Sequence, residues 1–266
     1  MKIIDFHTHI FPDSLATRAI AALMENAPGT KACTDGTCGG LLKSMRASGV
    51  TQSVLLPIAT KPSQVQTINS GCTALMSPTC IPFGTLHPDM SGIEDEVQRL
   101  VSFGVKGVKL HPEYQYFYID DPKCFPLYDA LSNAGLIVVL HAGKDPGPFT
   151  CDHALPHALA TVAKKFPKLK IVAAHLGGWQ VWNEVENLLS DLPMYFDTAS
   201  VRDFLPKEDF MRIVRKQGVE KILFGTDSPW YDQAQDIQWI DGLRFSSLEK
   251  EKIFFQNAEK LLNNTL

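Results

Sequence analysis

The sequence predicts a single (β/α)8 barrel, and three observations carry that expectation. Short β-branched or apolar runs alternate with stretches of helical periodicity along the 266 residues, the pattern of a parallel sheet built from βα units. Eight such runs can be counted. No composition break, low-complexity segment or linker divides the chain, so residues 1–266 read as one domain.

In chain order the strands are expected over 2–9 ("KIIDFHTH"), 51–59, 80–88, 104–112, 136–143, 170–178, 194–200 and 221–230. Between them, "GGLLKSMRASG", "SGIEDEVQRLVSFG", "FPLYDALSNAG", "ALPHALATVAKKF", "WQVWNEVENLLSD" and "KEDFMRIVRKQG" hold apolar residues at helical spacing, and several close on glycine as helix ends do. The last stretch, 246–264, opens with a Ser-x-x-Glu cap signature and is expected to pack outside the barrel. Segments 10–48 and 143–156 read as the long βα loops that set the substrate. An open doubly wound sheet is the rival architecture, but it calls for a Gly-rich phosphate turn after the first strand, and "DFHTHIFPD" is not one.

A net charge of -4 and the lack of any Lys/Arg cluster argue against nucleic acid as a partner. No apolar run reaches the roughly 18 residues of a membrane span, and "KIIDF" does not open a signal peptide, so a cytoplasmic protein is expected. The partner left is a small-molecule substrate, and a homo-oligomer stays open. Six scattered cysteines without a C-x-x-C pair read as reduced thiols. Cys33 and Cys38 flank "TDGT", which reads as a flexible loop, with a redox or metal role as the sharper alternative.

Successive side chains of a strand alternate faces, so Asp5, His7 and His9 of "DFHTH" are expected on one side, where two imidazoles can share one metal ion. His87, His111, His141 and His175 also fall at or near strand ends, each followed by Pro or Gly within two residues. Strand ends of a barrel surround one mouth, so these residues converge there with Asp227 of the eighth strand. A catalytic zinc takes neutral imidazole nitrogens and carboxylate oxygens and leaves a position open for water. One strand-end histidine alone reads as structural, as His87 does; the set reads as a metal centre.

With "DFHTHIFPD", "GVKLHP", "VVLHAG", "IVAAHLGG", "ILFGTDSPW" and the closing "NAEKLL", nearly the whole chain resembles the amidohydrolase superfamily. More narrowly it resembles the amidohydrolase-related branch, which includes aminocarboxymuconate semialdehyde decarboxylase and resorcylate-type decarboxylases. The resemblance implies metal ligands at His7, His9, His141 and Asp227 and a catalytic role for His175, with Asp227 also moving the proton; three imidazoles and a carboxylate converging with a site left open suit one zinc or manganese ion per chain. At the fourth strand Lys109 and His111 share a face. A lysine there is carboxylated in some relatives to bridge two metals; the preferred reading is a single metal, with Lys109 paired to inward-facing Asp5. Lys109, His111, Arg202 and Trp230 are the substrate-binding candidates, Arg202 as a carboxylate clamp or a solvent arginine and Trp230 as a wall or a packing anchor. Because the chain starts at its first strand, the flanking β-domain of many larger relatives is not expected.

The first functional expectation is hydrolysis of a small amide, lactone or related substrate. The metal would lower the pKa of water toward about 7, and Asp227 would take the proton and pass it to the leaving group. The alternative is non-oxidative decarboxylation of an unsaturated or aromatic carboxylate on the same scaffold. The third reading, a barrel that binds a metal or metabolite without turnover, sits poorly with intact ligands at all four positions.

Overall fold

In the computed structural model, which describes residues 2–265, nine short strands run parallel around one axis. They are β1 (Ile4–Thr8), β2 (Gln52–Leu55), β3 (Cys80–Pro82), β4 (Gly84–Thr85), β5 (Gly107–Leu110), β6 (Ile137–Leu140), β7 (Lys170–Ala173), β8 (Tyr195–Asp197) and β9 (Ile222–Leu223). β3 and β4 are one barrel strand: the Phe83 N–H between them still donates to Leu55 O at 2.9 Å, and Gly84 then pairs with Val108. All eight expected strands are therefore present, each shorter than its apolar run. The sheet closes where Phe6 N–H donates to Phe224 O and Asp227 N–H to His7 O, both at 2.8 Å. The (β/α)8 barrel is thus the architecture.

Apolar side chains such as Ile4, Phe6, Val54, Phe83, Val139 and Val172 fill the interior. Gly107 makes room for one of them, since a Cβ there would lie 2.4 Å from the Phe83 ring. β1 breaks the simple alternation expected of it. Asp5 pairs with Ser53 but Thr8 pairs with Leu55, so Phe6 and His7 together oppose Val54 in a bulge. Phe6 and His7 then both project inward, and Asp5 is left to meet Gln233 of α10 (Gln233–Asp241), whose Nε2 donates to Asp5 Oδ2 at 2.7 Å. The expected Asp5–Lys109 pair does not form, because Asp5 is spent on Gln233, Thr226 and the His7 N–H.

The six expected helices appear as α2 (Cys38–Ser48), α4 (Ile93–Ser102), α6 (Phe125–Asn133), α7 (Pro156–Lys165), α8 (Trp182–Leu188) and α9 (Lys207–Gln217). α1 (Asp13–Asn26), α3 (Val65–Thr73), the single turn α5 (Pro112–Gln115) and α10 were not expected; segment 10–48, expected as a long loop apart from α2, also carries α1. At the C-terminal end the Ser246–Glu249 capping box starts α11 (Ser247–Glu251), and a π turn leads into α12 (Asn257–Asn263). Rather than staying outside the barrel, α12 presses Ala258, Leu261 and Leu262 into the interior cluster and closes its N-terminal end. All six cysteines are free, and Cys38 is simply the first residue of α2. No helix of the described residues is long and apolar enough to cross a membrane.

Candidate metal centre

Every side chain of the site comes from the C-terminal end of a strand. His7 is in β1 and His9 just past it; His111 follows β5, His141 follows β6, His175 lies two residues past β7, and Asp227 four past β9. Three of the backbones are held in the left-handed region that L-residues rarely adopt, with φ of 58° at His175, 58° at Ser200 and 69° at Asp227. Such conformations cost of order 1–3 kcal/mol each and persist where the surrounding structure imposes them. Here they turn the chain sharply enough to keep the side chains over the mouth.

Four of the five imidazoles use one nitrogen on an acceptor behind the ring, whereas the buried His111 Nδ1 has no partner among the described residues. His7 Nδ1 donates to Asp197 Oδ2 at 2.8 Å and His9 Nδ1 to Leu56 O at 2.7 Å. His175 Nδ1 donates to Ala199 O at 3.0 Å, and His141 Nε2 to Lys144 O at 3.0 Å. Carbonyl and carboxylate oxygens only accept, so these nitrogens carry the protons and the opposite ones carry lone pairs. Those lone pairs face each other: His7 Nε2 is 3.2 Å from His9 Nε2, and His141 Nδ1 is 3.1 Å from His175 Nε2. Asp227 Oδ1 joins the first pair at 3.1 Å from His9 Nε2 and 3.5 Å from His7 Nε2. Facing lone pairs repel unless a cation lies among them, so this donor set fits a divalent metal ion, with the acceptors behind it fixing each ring. The donor atoms of His7, His9 and Asp227 all lie within 4.8 Å of one another. His141 is not part of that triad and turns to His175 instead.

Electrostatics agrees with this arrangement. Burial, followed by Lys109, lowers the His7 pKa to about 4, and burial holds His111 and His141 well below the ordinary histidine value and lowers His175. Each of these rings therefore favours its neutral form, which leaves one ring nitrogen with a lone pair. Burial alone would raise the Asp227 carboxyl, but the imidazoles of His7, His9 and His175 hold it well below the usual carboxylate range. Its Oδ2 also accepts the Ser200 hydroxyl at 2.6 Å.

Lys109 is fully buried, and burial lowers its pKa to about 8. Its Nζ lies 3.3 Å from His7 Nε2, and among the described residues no carboxylate comes within 4.0 Å of it. His111 stacks flat on His141, with centroids 4.2 Å apart, and points Nε2 at Asp145 Oδ2 from 3.6 Å. Parallel stacked rings aim their lone pairs side by side, so His111, His141 and Asp145 converge poorly on one ion although their donor atoms are close. Both Lys109 and His111 border a cavity of about 370 Å³, as do the four donor histidines, Asp227 and Trp230.

Arg202 is not in that cavity. Its guanidinium is taken by Asp203 and by Asp236, the latter at 2.7 Å, so the expected carboxylate clamp is already occupied by the protein's own acids. His87 is structural, accepting the Asp89 N–H at 3.2 Å. Asp197, Ser200 and Asp145 join the site without having been singled out by any motif. Asp197 ends β8 inside "FDTAS" and carries the same strand-end signal that picked out Asp227; Asp145 sits in a loop, where no pattern marks it.

Comparison with known proteins gives three kinds of match. The Amidohydrolase family model matches residues 4–263. A 2-amino-3-carboxymuconate-6-semialdehyde decarboxylase of Dictyostelium discoideum is 24% identical over 205 residues, covering 65% of this chain and 57% of the relative, so the match spans little more than half of that protein. An uncharacterized TIM-barrel protein from Bordetella bronchiseptica superposes with a TM-score of 0.81 at 22% identity, covering 99% of both chains. A 5-carboxyvanillate decarboxylase from Novosphingobium aromaticivorans, complexed with manganese and 4-hydroxy-3-methoxy-5-nitrobenzoic acid, superposes with a TM-score of 0.76 at 14% identity, covering 98% of this chain and 96% of that one.

Proposed function

Since the chain belongs to the amidohydrolase family, we propose that it is a divalent-metal-dependent, non-oxidative decarboxylase of an unsaturated or aromatic carboxylate. Two relatives named as decarboxylases support this lyase reading over the hydrolysis first expected from the motifs. The observation that carries it is Lys109, a buried amine on the cavity wall with no carboxylate within 4.0 Å among the described residues, Asp197, Asp227 and Asp145 acting on it only from farther off. A buried ammonium without a direct ion pair is costly, and a substrate carboxylate would relieve it.

His7, His9 and Asp227 would hold one zinc or manganese ion, and His141, whose Nδ1 lone pair faces His175 Nε2, would supply a fourth donor. A bound divalent ion supplies positive charge for the carboxylate and for electron density building on the substrate. Lys109 grips the carboxylate from the floor, while His111 and Trp230 border the ring or unsaturated system. The bond between the carboxyl carbon and the unsaturated carbon breaks with its electron pair left on the latter, and carbon dioxide departs. Asp227, its Oδ2 oriented by Ser200, takes a proton from substrate or water and returns one to that carbon. His175 acts on substrate from outside the ligand set, its Nε2 beside His141.

The test is to load the purified protein with zinc or manganese and screen aromatic and unsaturated carboxylates for carbon dioxide release, with lactones and amides followed by acid release. Carbon dioxide is expected, with a metal content near one per chain. Hydrolysis without decarboxylation would overturn the lyase reading, and a content near two would restore a bridging Lys109.

A further inference from the structure

The cavity has two unlike halves. The half built on the ends of β1 and β5 to β9 carries the imidazoles and acids, whereas the half built on segments 10–30 and 56–68 presents Ile10, Phe11, Leu15, Leu23, Ile58 and Ile68 and no charged side chain. α1 makes much of this wall, yet it buries only Ala16 against protein, and Leu15 is 42% exposed. Apolar side chains that face a cavity instead of a core are shielded from water only when the cavity is filled. The volume available, about 370 Å³, is more than twice the roughly 150 Å³ that takes up a benzene ring. A bare ring at the metal centre would leave the wall wet. Hydroxyl groups placed against it would lose water with little but Thr30 and Thr60 to answer them.

We propose that the substrate carboxylate bears a bulky apolar substituent that packs on this wall, with Leu15 and Leu23 as specificity-determining residues. This rests on the carboxylate anchoring of the preceding section, and it narrows the substrate class to amphipathic acids. Filling the wall removes apolar area from water at about a fourfold gain in affinity per methylene.

The experiment titrates manganese-loaded protein calorimetrically with benzoate and with 3- and 4-butylbenzoate. The tighter butyl compound should bind at least tenfold better than benzoate. That gain should fall below threefold in Leu15→Asp/Leu23→Asp, and also in Leu23→Trp, which fills the wall with protein in case the acidic variant does not fold. Equal affinities across the series, no binding at all, or a gain that survives in the folded variants would overturn the proposal. His9→Ala reads the premise separately: it should abolish binding of the whole series. A chain-length gain indifferent to His9→Ala would leave the apolar wall standing and overturn the anchoring at the metal centre.

Discussion

The four imidazoles of the centre have their free nitrogens aimed by what stands behind them. Removing His9 takes away a lone pair whose ring is held by Leu56 O, so His9→Ala should lose at least tenfold in metal affinity, read by elemental analysis after dialysis. Asp227→Asn keeps an oxygen that can ligate weakly but cannot accept a proton, so it should retain much of the metal and lose about 100-fold or more in kcat. A rate near that of the unmodified enzyme would remove Asp227 from proton transfer. Asp145 offers a test by pH. Burial raises its pKa to about 7 from 3.8, against the single Gly147 N–H that its Oδ1 accepts at 2.8 Å. Its folded-state pKa being the higher, its contribution to stability is complete below the unfolded value and is lost as pH rises through about 7. Asn keeps the acceptor for Gly147 and cannot ionise. In chelator-treated protein the melting temperature of Asp145→Asn should therefore gain on the unmodified chain by a few degrees between pH 5 and 8.5, on the scale of about 2–4 °C per kcal/mol. A difference constant with pH would place the Asp145 carboxyl in the ordinary range.

At the scale of elements, the centre depends on how β1 meets β9. Gly225 lies past the end of β9, where a Cβ would fall 2.9 Å from His7 Cβ and 3.3 Å from Asp197 Cβ. Gly225→Ala should push apart the His7–Asp197 pair, costing about 1–3 kcal/mol of stability together with a clear loss of metal affinity. Ser246→Ala provides the contrast: it breaks the capping box of α11 far from the mouth and should cost about 1 kcal/mol with metal content unchanged. Equal metal loss in both variants would mean that general destabilisation, not the β1–β9 contact, governs the site. Much of this scale is legible in sequence. The six amphipathic helices were, because each buries an apolar face on the barrel, whereas α1 was not, because its apolar residues face the cavity and it buries only Ala16.

For the molecule as a whole, the barrel is open toward the cavity and sealed at the other end by α12. Lys106 Nζ donates to Thr265 O at 2.7 Å and Lys170 Nζ to Asn264 O at 2.6 Å, so lysines beside β5 and β7 hold the carbonyls beyond that helix. Leu261 is 4% exposed within the interior cluster. Leu261→Ala should cost about 2–5 kcal/mol, seen as a lower denaturant midpoint with an unchanged slope. The metal centre at the opposite end should keep its ion under native conditions. A midpoint shift under 1 kcal/mol would show that α12 is not a necessary floor.

Local pattern was enough to establish the eight strands, most helices, and the placing of His7, His9, His141, His175 and Asp227 on one rim, because periodicity and strand-end position are properties of neighbouring residues. Direction and partnership were not local. Asp5 turned away from Lys109 only because β1 bulges against β2, and Arg202 was withdrawn from the cavity by Asp236, 34 residues along the chain. Which nitrogen of each histidine is free to bind metal was decided by acceptors 190 residues away for His7, 47 for His9 and 24 for His175. Hydrogen-bond partners at such separations meet only once the barrel has closed, so the sequence determined which residues are donors, and the tertiary structure determined where their lone pairs point.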